Sequence, residues 1–353
     1  MTERALVTGS SGLVGSEVTR FLGKKGWEIV GVDNDSRGHF YGPSASTLPE
    51  RSKLQQEFPQ QFQPVSADIR DDTAIRNIFA ERGPFNFIAH CAAQPAHEYS
   101  TNNALEDFSI NALGTMVMLE NYRHHSPESV FIQCSSSKVY GDSVNTLALE
   151  EYDTRYDLPS NHPYYNGVDE EFGRLDGNLH SLFGASKAAG DIMAGEYGKY
   201  FDLPIAIFRP ACISGKNHKG AKLHGYLAYL VKCIADGTPY TINGYKGKQV
   251  RDNIHASDLV SAFWEVYKDP SGSYGEAYNI GAGRQSNNSI LEAISQTENI
   301  LGKKGNINYS EQIRRGDHKW IVYSASKFRA KYPNWEIQYD NDKLMEELCQ
   351  AQG

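Results

Sequence analysis

Short apolar runs alternate with longer helix-compatible runs through the first half of the chain. The short runs are rich in β-branched and aromatic residues, which favours strands, and the longer runs repeat their apolar positions at helical spacing. The predicted strands of this part are Arg4–Thr8, Ile29–Val32, Gln63–Ala67, Phe87–Cys91, Val130–Cys134 and Pro204–Arg209. The predicted helices between them are Ser16–Lys24, Asp107–Arg123 and Leu182–Phe201. Strands that alternate with helices predict an α/β fold with a doubly wound parallel sheet.

The pattern is less regular in two long polar stretches and toward the C-terminus. Residues 35–64 are expected to form a surface excursion, and residues 143–180 a long ordered loop of the kind that is usually functional. Later predicted helices are Gly225–Asp236, Ser257–Tyr267 and Ser289–Leu301, and later predicted strands are Tyr240–Asn243 and Ala277–Ile280. We therefore predict a first domain over residues 1–180, to which later strands near 204–209 and 250–267 return. A smaller C-terminal α/β lobe is predicted over residues 181–353.

Three glycines follow the first predicted strand at a spacing of three. Gly9, Gly12 and Gly15 stand where that strand turns into the first predicted helix. Glycine lets the backbone turn sharply and lets a pyrophosphate approach the main chain, while the helix N-terminus offers free N–H groups and a partial positive charge. The second predicted strand ends in Asp33, where an acid accepts the ribose hydroxyls of NAD. The pattern therefore predicts a Rossmann-type site for NAD.

The composition of the chain argues mainly against certain partners and locations. Of 353 residues, 40% are hydrophobic and 22% are charged, which is typical of a globular protein. The formal net charge of -8 argues against a nucleic-acid or anionic-membrane partner. No apolar run approaches the roughly 18 residues of a membrane helix, and the first strand begins too early to leave room for a signal peptide. The cysteines lack metal-like spacing, so we expect free thiols, no metal and a cytoplasmic location.

Candidate catalytic groups follow the fifth predicted strand and lie on the helix over residues 182–201. Ser136 comes just after the strand, at the carboxyl edge where doubly wound folds bind ligands. On the helix, a four-residue spacing places Phe183 and Lys187 on one face. Asp68, after the third predicted strand, occupies the position that flanks the adenine of a dinucleotide.

These motifs resemble the extended short-chain dehydrogenase/reductase family of NAD-dependent nucleotide-sugar epimerases and dehydratases, over nearly the whole chain. The matching residues are Gly9 to Gly15, Asp33, Asp68, Asn111, Ser136, Lys187, Gly247-Lys248-Gln249-Val250-Arg251-Asp252 and Ala256-Ser257-Asp258-Leu259. Within the family, some stretches are most similar to the CDP-paratose 2-epimerase branch. They are Lys138-Val139-Tyr140-Gly141-Asp142, Thr154-Arg155-Tyr156 with Asn166-Gly167-Val168-Asp169-Glu170, and His180-Ser181-Leu182-Phe183-Gly184-Ala185-Ser186-Lys187.

The resemblance implies bound NAD, a nucleotide-diphosphate sugar as substrate and a homodimer. The implied NAD contacts are Gly9, Gly12, Leu13, Val14, Gly15, Asp33, Asn34, Asp68, Ile69, Ala92, Ala93, Gln94, Asn111 and Lys187. The implied substrate contacts are Ser137, His180, Arg251, Arg314 and His318. Arg251 would bind the diphosphate, with a surface ion pair as its alternative role; a solvated face is the alternative for Arg314 and His318. The dimer would pair the helices over 107–123 and 182–201 through Met116, Met118, Leu119, Ile192, Met193 and Tyr197.

One residue departs from the family pattern. The family has a tyrosine four residues before the lysine, and the lysine lowers the pKa of that tyrosine so that it acts as a base. Here the position is Phe183, which has no ionisable group. Three interpretations follow. The chain is a substituted form made to trap a complex, or an inactive relative that still binds ligands, or an active enzyme that uses another base. We favour the third interpretation because Ser136 and Lys187 are retained, and Tyr164, Tyr165 or Lys187 would then transfer the proton.

The predicted activity is that of a nucleotide-sugar epimerase that inverts C2 of a hexose on CDP or a related nucleotide. A sugar hydroxyl is oxidised transiently and the hydride returns, so that tightly bound NAD is regenerated. A dehydratase or decarboxylase on the same scaffold is one alternative, but a dehydratase would carry an Asp-Glu pair where Ser137-Lys138 stands. A non-catalytic NAD or nucleotide-sugar binding protein is the other alternative, and Phe183 is the only argument for it.

Overall fold

The computed structural model describes residues 2–173, 176–221 and 225–352. Its strands are β1 (Arg4–Thr8), β2 (Glu28–Val32), β3 (Phe62–Val65), β4 (Phe87–His90), β5 (Val130–Cys134), β6 (Glu150–Glu151), β7 (Tyr156–Asp157), β8 (Ile205–Pro210), β9 (Cys212–Ser214), β10 (Tyr240–Asn243), β11 (Val250–His255), β12 (Glu276–Ile280), β13 (Asn287–Ser289), β14 (Ile307–Ser310) and β15 (Trp320–Ile321). Its α-helices are α1 (Leu13–Gly23), α2 (Ser36–Tyr41), α3 (Leu48–Glu57), α4 (Asp72–Arg82), α5 (His97–Asn102), α6 (Ala104–Phe108), α7 (Gly114–His125), α8 (Ser181–Tyr200), α9 (Tyr226–Asp236), α10 (Ala256–Lys268), α11 (Ile290–Leu301), α12 (Ser326–Lys331) and α13 (Asn341–Gln350). A π-helical turn, Ser109–Leu113, joins α6 to α7.

Seven strands form one sheet in the order β12-β8-β5-β4-β1-β2-β3. The pairings of β1 with β2 and β4, of β2 with β3, of β4 with β5 and of β5 with β8 are all parallel. In the β1–β4 pair, Ala5 lies opposite Phe87 and Thr8 opposite His90, so both strands present their carboxyl ends at one edge. The strand order reverses next to β1, which is where doubly wound folds bind a ligand. The predicted Rossmann-type fold is confirmed.

The central strands of this sheet are almost continuously apolar because helices cover the sheet. Leu6 of β1, Ile88 of β4 and Phe131 of β5 are at most 1% exposed. Met118 and Leu119 of α7 are fully buried in the same core cluster. The apolar face of α7 therefore packs inside the fold, which fixes the helix beside the sheet.

Two compact units divide the chain, and each is discontinuous in sequence. Unit 1 comprises the described residues within 1–136, 182–209 and 260–278, and unit 2 those within 137–181, 210–259 and 279–353. The expected return of residues 204–209 to the first sheet occurs as β8. The segment over residues 250–267 is divided, because β11 pairs with β9, β13 and β15 in a separate four-stranded sheet of unit 2, whereas residues 260–267 belong to unit 1. A single boundary near residue 180 therefore does not describe these two units.

The polar stretch over residues 35–64 is also more ordered than its sequence pattern predicts, since it contains α2 and α3. Contacts distant in sequence hold α3 in place. Leu54 is fully buried, and Arg20 of α1 donates hydrogen bonds to both Glu50 and Glu57. Because α3 has few apolar residues, hydrophobic periodicity could not reveal it.

Candidate active site

The turn between β1 and α1 brings backbone segments so close together that its glycines have no room for a side chain. Gly9 has φ +63°, and a Cβ there would lie 2.9 Å from the amide nitrogen of Ala92. A Cβ on Gly15 would lie 2.1 Å from the carbonyl oxygen of Gly9. The N–H of Gly12 donates to the same carbonyl oxygen at 2.9 Å, which closes the turn. Glycine is required here, as a close approach of a pyrophosphate to the backbone also demands.

The N-terminus of α1 is open to an anion. Gly12 precedes the helix and provides no side-chain cap, and the first turn, which contains Leu13 and Val14, has no acidic residue. Ser11 Oγ is buried and has no hydrogen-bond partner. Uncapped N–H groups together with the helix dipole favour a bound phosphate. This cradle and its unpartnered hydroxyl fit the diphosphate of a dinucleotide.

Asp33 follows β2 and braces the glycine turn. Its Oδ2 accepts the N–H of Ser11 at 3.0 Å, and its Oδ1 accepts from the N–H of Asp35 at 2.9 Å and from Thr47 Oγ1 at 3.0 Å. A carboxylate has about four acceptor positions, so one position is left for a ribose hydroxyl. The predicted ribose contact thus fits the geometry, and Asp33 also orders the loop around it.

Asp68 is engaged more strongly than the sequence indicates. Arg70 donates to both of its carboxylate oxygens, from Nε at 2.9 Å and from Nη2 at 2.7 Å, and Asn34 Nδ2 donates at 3.2 Å. The hydrogen bonds from Arg70 hold the pKa of Asp68 below its ordinary value. Ile69 is buried, and a Cβ on Gly114 would lie 2.6 Å from its side chain. A contact between Asp68 and adenine would therefore share the carboxylate with Arg70.

Asn111 fixes the loop that follows β4. Its Oδ1 accepts the N–H of Gln94 at 3.0 Å, and its Nδ2 donates to the carbonyl oxygen of Gln94 at 3.1 Å. Ala92 is held separately, because its N–H donates to Thr8 Oγ1 at 3.2 Å. Ala93 lies between these two anchored residues. Asn111 itself sits in the π-helical turn, an irregularity that often marks functional positions in helices.

Lys187 reaches from α8 to the carboxyl edge of the sheet. Its Nζ donates to the carbonyl oxygen of Cys134 at 2.9 Å, at the end of β5. Burial lowers the pKa of Lys187, as is required of a lysine that acts as a base. The thiols of Cys91 and Cys134 hydrogen-bond to one another, and both interact electrostatically with the ammonium. Ser136 follows Cys134 by two residues and is partly exposed.

Phe183 lies one helical turn before Lys187, as the spacing predicts. Its side chain is only 7% exposed, and its N–H donates to Ser100 Oγ at 3.1 Å. His90, at the end of β4, is a second titratable group at this edge. Burial lowers the pKa of His90 to about 3, so the imidazole is neutral at ordinary pH. It bridges Thr8 Oγ1 at 2.7 Å and Thr115 Oγ1 at 3.2 Å and serves the packing of the strands.

Sequence reasoning missed Asp107, which lies one helical turn before Asn111. Asp107 is 1% exposed and accepts a hydrogen bond of 2.5 Å from Ser186 Oγ. Burial raises its pKa to about 6. The sequence contained part of the signal for this contact. A spacing of four residues places Asp107 and Asn111 on one helix face, and the same spacing places Phe183 and Lys187 on another. The sequence could not show that these two faces meet.

Unit 2 contains a cluster of charged groups around one carboxylate. Arg251 Nη2 donates to Asp317 Oδ1 at 2.8 Å, and Lys138 Nζ lies 3.6 Å from the same oxygen. Burial works against the charge of Asp317, but Arg251 and Lys138 outweigh it and hold the pKa of Asp317 well below its ordinary value. Arg251 also donates to the carbonyl oxygen of Val250, which leaves other N–H groups of its guanidinium for a ligand.

His318, an expected substrate contact, does not lie on the solvated face that was its alternative. Its side chain is 1% exposed, and its Nε2 donates to the carbonyl oxygen of Gly141 at 2.8 Å. Burial and the nearby Lys138 and Arg251 keep the pKa of His318 well below its ordinary value, so the ring carries no charge. Arg314 begins the turn that carries Gly316 and Asp317, because its carbonyl oxygen accepts the N–H of Asp317 at 3.1 Å.

The other predicted site residues of unit 2 lie on irregular segments. Ser137 begins the 3-10 turn Ser137–Tyr140, and His180 packs close to Gly141. Tyr164 is partly exposed, and its ring contacts Phe172 edge-on with centroids 5.1 Å apart.

A network of ion pairs orders the loop that contains Tyr165. Arg155 donates to Glu292 from Nε at 2.8 Å, and Arg284 Nη1 donates to Asp157 Oδ2 at 2.8 Å. The guanidinium of Arg284 stacks over the ring of Tyr165 at 3.9 Å from the centroid and donates to the carbonyl oxygen of that residue. Much of the loop predicted from residue 143 is therefore held by long-range charged contacts.

Two further findings concern what the described part of the chain contains. It has no group of three His, Cys, Asp or Glu residues placed to hold a metal ion. None of its helices combines the length and apolar character that crossing a membrane requires.

Known proteins share this architecture. The model of the NAD dependent epimerase/dehydratase family matches residues 5–281. CDP-paratose 2-epimerase of Salmonella typhi is 30% identical over 335 residues, which cover 92% of each chain. The structure of UDP-glucose 4-epimerase of Thermus thermophilus in complex with NAD is 21% identical, with a TM-score of 0.78 over 99% of this chain and 98% of that one.

The glycine turn between β1 and α1 and the parallel sheet define a Rossmann-type dinucleotide-binding protein. More particularly, the chain belongs to the NAD dependent epimerase/dehydratase family. Its cofactor is accordingly NAD, which the glycine cradle, the open N-terminus of α1 and Asp33 fit.

Proposed function

We propose that this chain is a nucleotide-sugar epimerase that inverts C2 of a hexose on CDP or a related nucleoside diphosphate. The observation that carries the proposal is the 30% identity to CDP-paratose 2-epimerase of Salmonella typhi, which extends over 92% of both chains. The position of Lys187 supports a redox step, because its Nζ lies at the carboxyl ends of the strands, where doubly wound folds bind their ligands. The residues expected to bind NAD lie mainly in unit 1, and most of those expected to bind the nucleotide sugar lie in unit 2.

The reaction needs an acceptor for a hydride and an acceptor for a proton. NAD, when bound, supplies the first. Lys187 supplies the second, because its buried amine has a lowered pKa and takes the proton of the sugar hydroxyl at Nζ. Ser136 would hold and polarise that hydroxyl, and Phe183 would exclude water beside Nζ without contributing a proton.

Recognition of the diphosphate is assigned to Arg251, with Lys138 and Arg314 adding positive charge. Asp317 pairs with both Arg251 and Lys138 and offsets one of their two positive charges, so this cluster would retain a net positive charge for a phosphate. The side chain of Arg251 is 12% exposed, which restricts solvent around it and strengthens a charge-assisted hydrogen bond. A planar guanidinium is suited to two phosphate oxygens at once.

The test incubates the purified protein with CDP-, GDP- and UDP-hexoses in deuterated water and follows the products by NMR. Inversion at C2 by return of the same hydride gives an epimer without solvent deuterium. Deuterium at the carbon next to the ketone would indicate enolisation, and loss of water from the sugar would indicate a dehydratase. Either of these results would contradict the C2 mechanism.

A second candidate is a protein that binds NAD and nucleotide sugars without turnover, and Phe183 favours it. A tyrosine-to-phenylalanine mutant of UDP-glucuronic acid 4-epimerase from Bacillus cereus has been solved with NAD and a fluorinated nucleotide sugar. It is 23% identical to this chain, with a TM-score of 0.79 over 99% of this chain and 98% of that one. This candidate would be supported over the epimerase if calorimetry shows that a nucleotide sugar binds while NMR shows that it is not converted.

We also propose a homodimer, on contacts that retain Ile192 but otherwise differ from those expected. Met118 and Leu119 are fully buried and Tyr197 is 7% exposed, so they serve the core of unit 1 and cannot face a partner. Met116 and Met193 pack partly against the same core. The large apolar side chains that are exposed on the two helical segments are Leu105, Phe108, Leu113, Leu182, Ile192 and Tyr200. Two neighbouring helical segments that expose this many apolar groups are typical of an interface.

A further inference from the structure

Asp107 is a buried carboxylate next to the helix that carries Lys187. It is 1% exposed, and among the described residues it forms no ion pair with an arginine, a histidine or a lysine within 4.0 Å. Asp191, the other buried acid near Lys187, differs in this respect, because Arg209 Nη2 donates to it at 2.7 Å. A buried carboxylate without a close cation lowers the stability of the fold. Its presence beside the helix of Lys187 therefore indicates a functional role.

The hydrogen bonds around Asp107 satisfy both of its protonation states. When Asp107 is ionised, Ser186 Oγ donates to its Oδ2 at 2.5 Å, and Asn111 Nδ2 lies 3.2 Å from its Oδ1. The same Ser186 hydroxyl lies 3.0 Å from the carbonyl oxygen of Phe183. A hydroxyl has one hydrogen, so these two acceptors are alternatives. A protonated Asp107 would donate to Ser186 Oγ, and the Ser186 hydrogen would turn to Phe183.

The charges that face Lys187 come from three sides. The thiols of Cys134 and Cys91 lie at the strand ends, Asp191 lies one turn further along α8, and Asp107 approaches from α6. His90 faces the same ammonium but is neutral. Tyr41 is the further titratable group that interacts with Asp107, and burial holds its phenol protonated. Asp191 acts more strongly on Lys187 but is already paired with Arg209, so among the described residues Asp107 is the carboxylate acting on Lys187 that has no arginine paired with it.

We propose that Asp107 is a positioning residue that supplies the negative counter-charge for Lys187, in the site where the family tyrosine is absent. The inference rests on the proposed function, in which a sugar hydroxyl is oxidised. In that step the C–H electron pair leaves as hydride to NAD, the O–H proton passes to the amine Nζ of Lys187, and a C=O bond forms. The carboxylate of Asp107 stabilises the resulting ammonium, and Ser186 transmits its position to α8. The proton and the hydride return in the second half of the reaction.

The test measures the pKa of Lys187 directly. The NAD-loaded protein is labelled with lysine carrying ¹³C at Cε, and the Lys187 signal is assigned by its absence in Lys187→Met. Asp107→Asn, which keeps the shape of the side chain, should lower the pKa of Lys187 by about one unit or more, since a nearby opposite charge shifts a pKa by roughly 1–3 units. Glu106→Gln, which removes an acid from the same helix, is the matched control and should leave the pKa unchanged.

A second variant covers the case in which Asp107→Asn does not fold. Ser186→Ala keeps the carboxylate but removes its strongest donor, so the pKa of Asp107 should rise. The pKa of Lys187 should then fall, as it should in Asp107→Asn. An unchanged Lys187 pKa in either folded variant would overturn the proposal. The titration needs no sugar substrate. A protein that turns over no nucleotide sugar would refute the proposed function while leaving this result intact.

Discussion

The buried ammonium of Lys187 donates a hydrogen bond of 2.9 Å to the carbonyl oxygen of Cys134. This bond ties α8 to the end of β5, two residues before Ser136. It holds Nζ at the carboxyl edge of the sheet although no tyrosine stands one turn earlier on the helix. The amino group is thus held by the backbone of the sheet.

Replacement of Lys187 should affect both cofactor binding and turnover. Lys187→Met should weaken NAD binding about tenfold or more, the scale of a lost hydrogen bond to a charged group. It should also lower kcat by roughly 10²-fold or more, since a general base contributes about 10²–10⁴-fold. Calorimetry measures the first effect and turnover the second. Ser136→Ala is the comparison variant and should lower kcat with little change in NAD affinity; equal losses of affinity would contradict the assigned roles.

Restoring the family tyrosine tests which residue is the base. Phe183 is buried, and its backbone N–H bonds Ser100 Oγ, a contact that does not involve the side chain that Phe183→Tyr changes. We expect NAD binding to persist and activity to stay the same or to fall. A large gain in kcat would show instead that Phe183 disables the enzyme and that tyrosine is the natural base. The Lys187→Met, Phe183→Tyr double variant separates the two cases.

Asp33 should give a preference for NAD over NADP, because its carboxylate would repel a 2′-phosphate. Asp33→Ala should weaken NAD binding by about 1–3 kcal/mol. Part of this loss would come from the loop, since Ser11 N–H and Thr47 Oγ1 also bond this carboxylate. Arg37, a cation that interacts with Asp33, argues for NADP, and its guanidinium lies 5.1 Å from the centre of the Tyr41 ring. Titration with both cofactors decides the matter, and equal affinity for NADP would refute the preference.

His90 should make the protein less stable at mildly acidic pH. Its folded pKa of about 3 lies below the ordinary value of about 6.5, so between these values only the unfolded chain takes up the proton. The stability contribution is therefore present above about pH 6.5 and falls toward pH 3, by about 2 kcal/mol at pH 5. Asp107 and Asp252 act in the opposite sense, because burial raises their pKa values to about 6 and about 7.

Comparison of variants isolates the effect of His90 from that of the carboxyls. His90→Gln should reduce the loss of stability between pH 7.5 and pH 5.0, measured by urea unfolding. His124→Gln, which removes an exposed histidine, is the matched control. Identical pH dependence in both variants would show that His90 does not contribute.

The proposed dimer predicts that one charge on the exposed helical face dissociates it. Ile192 is 42% exposed, and Ile192→Glu should give a monomer by light scattering at micromolar concentration. Leu48→Glu is the control, since Leu48 is similarly exposed on α3 and lies outside that face. A monomeric parent protein, or equal dissociation by both variants, would refute this interface.

The sequence by itself determined the elements whose signals are local. β1, the glycine turn and α1 follow from an apolar run, three glycines and helical spacing within twenty residues, and the structure places β1 at the predicted residues Arg4–Thr8. The four-residue spacing of Phe183 and Lys187 likewise predicts a shared helix face from backbone geometry alone. Such features depend on neighbouring residues, whose contacts cost little chain entropy to form.

The tertiary structure alone decided which side chains meet across long sequence separations. Asp107 and Ser186 are 79 residues apart, and only the packing of α6 against α8 makes them a buried pair. The same holds for Arg251 and Asp317, 66 residues apart. It also decided that Met118 is buried, because helical periodicity marks an apolar face without stating what covers it. Pairing between distant segments depends on the whole core, which no local pattern contains.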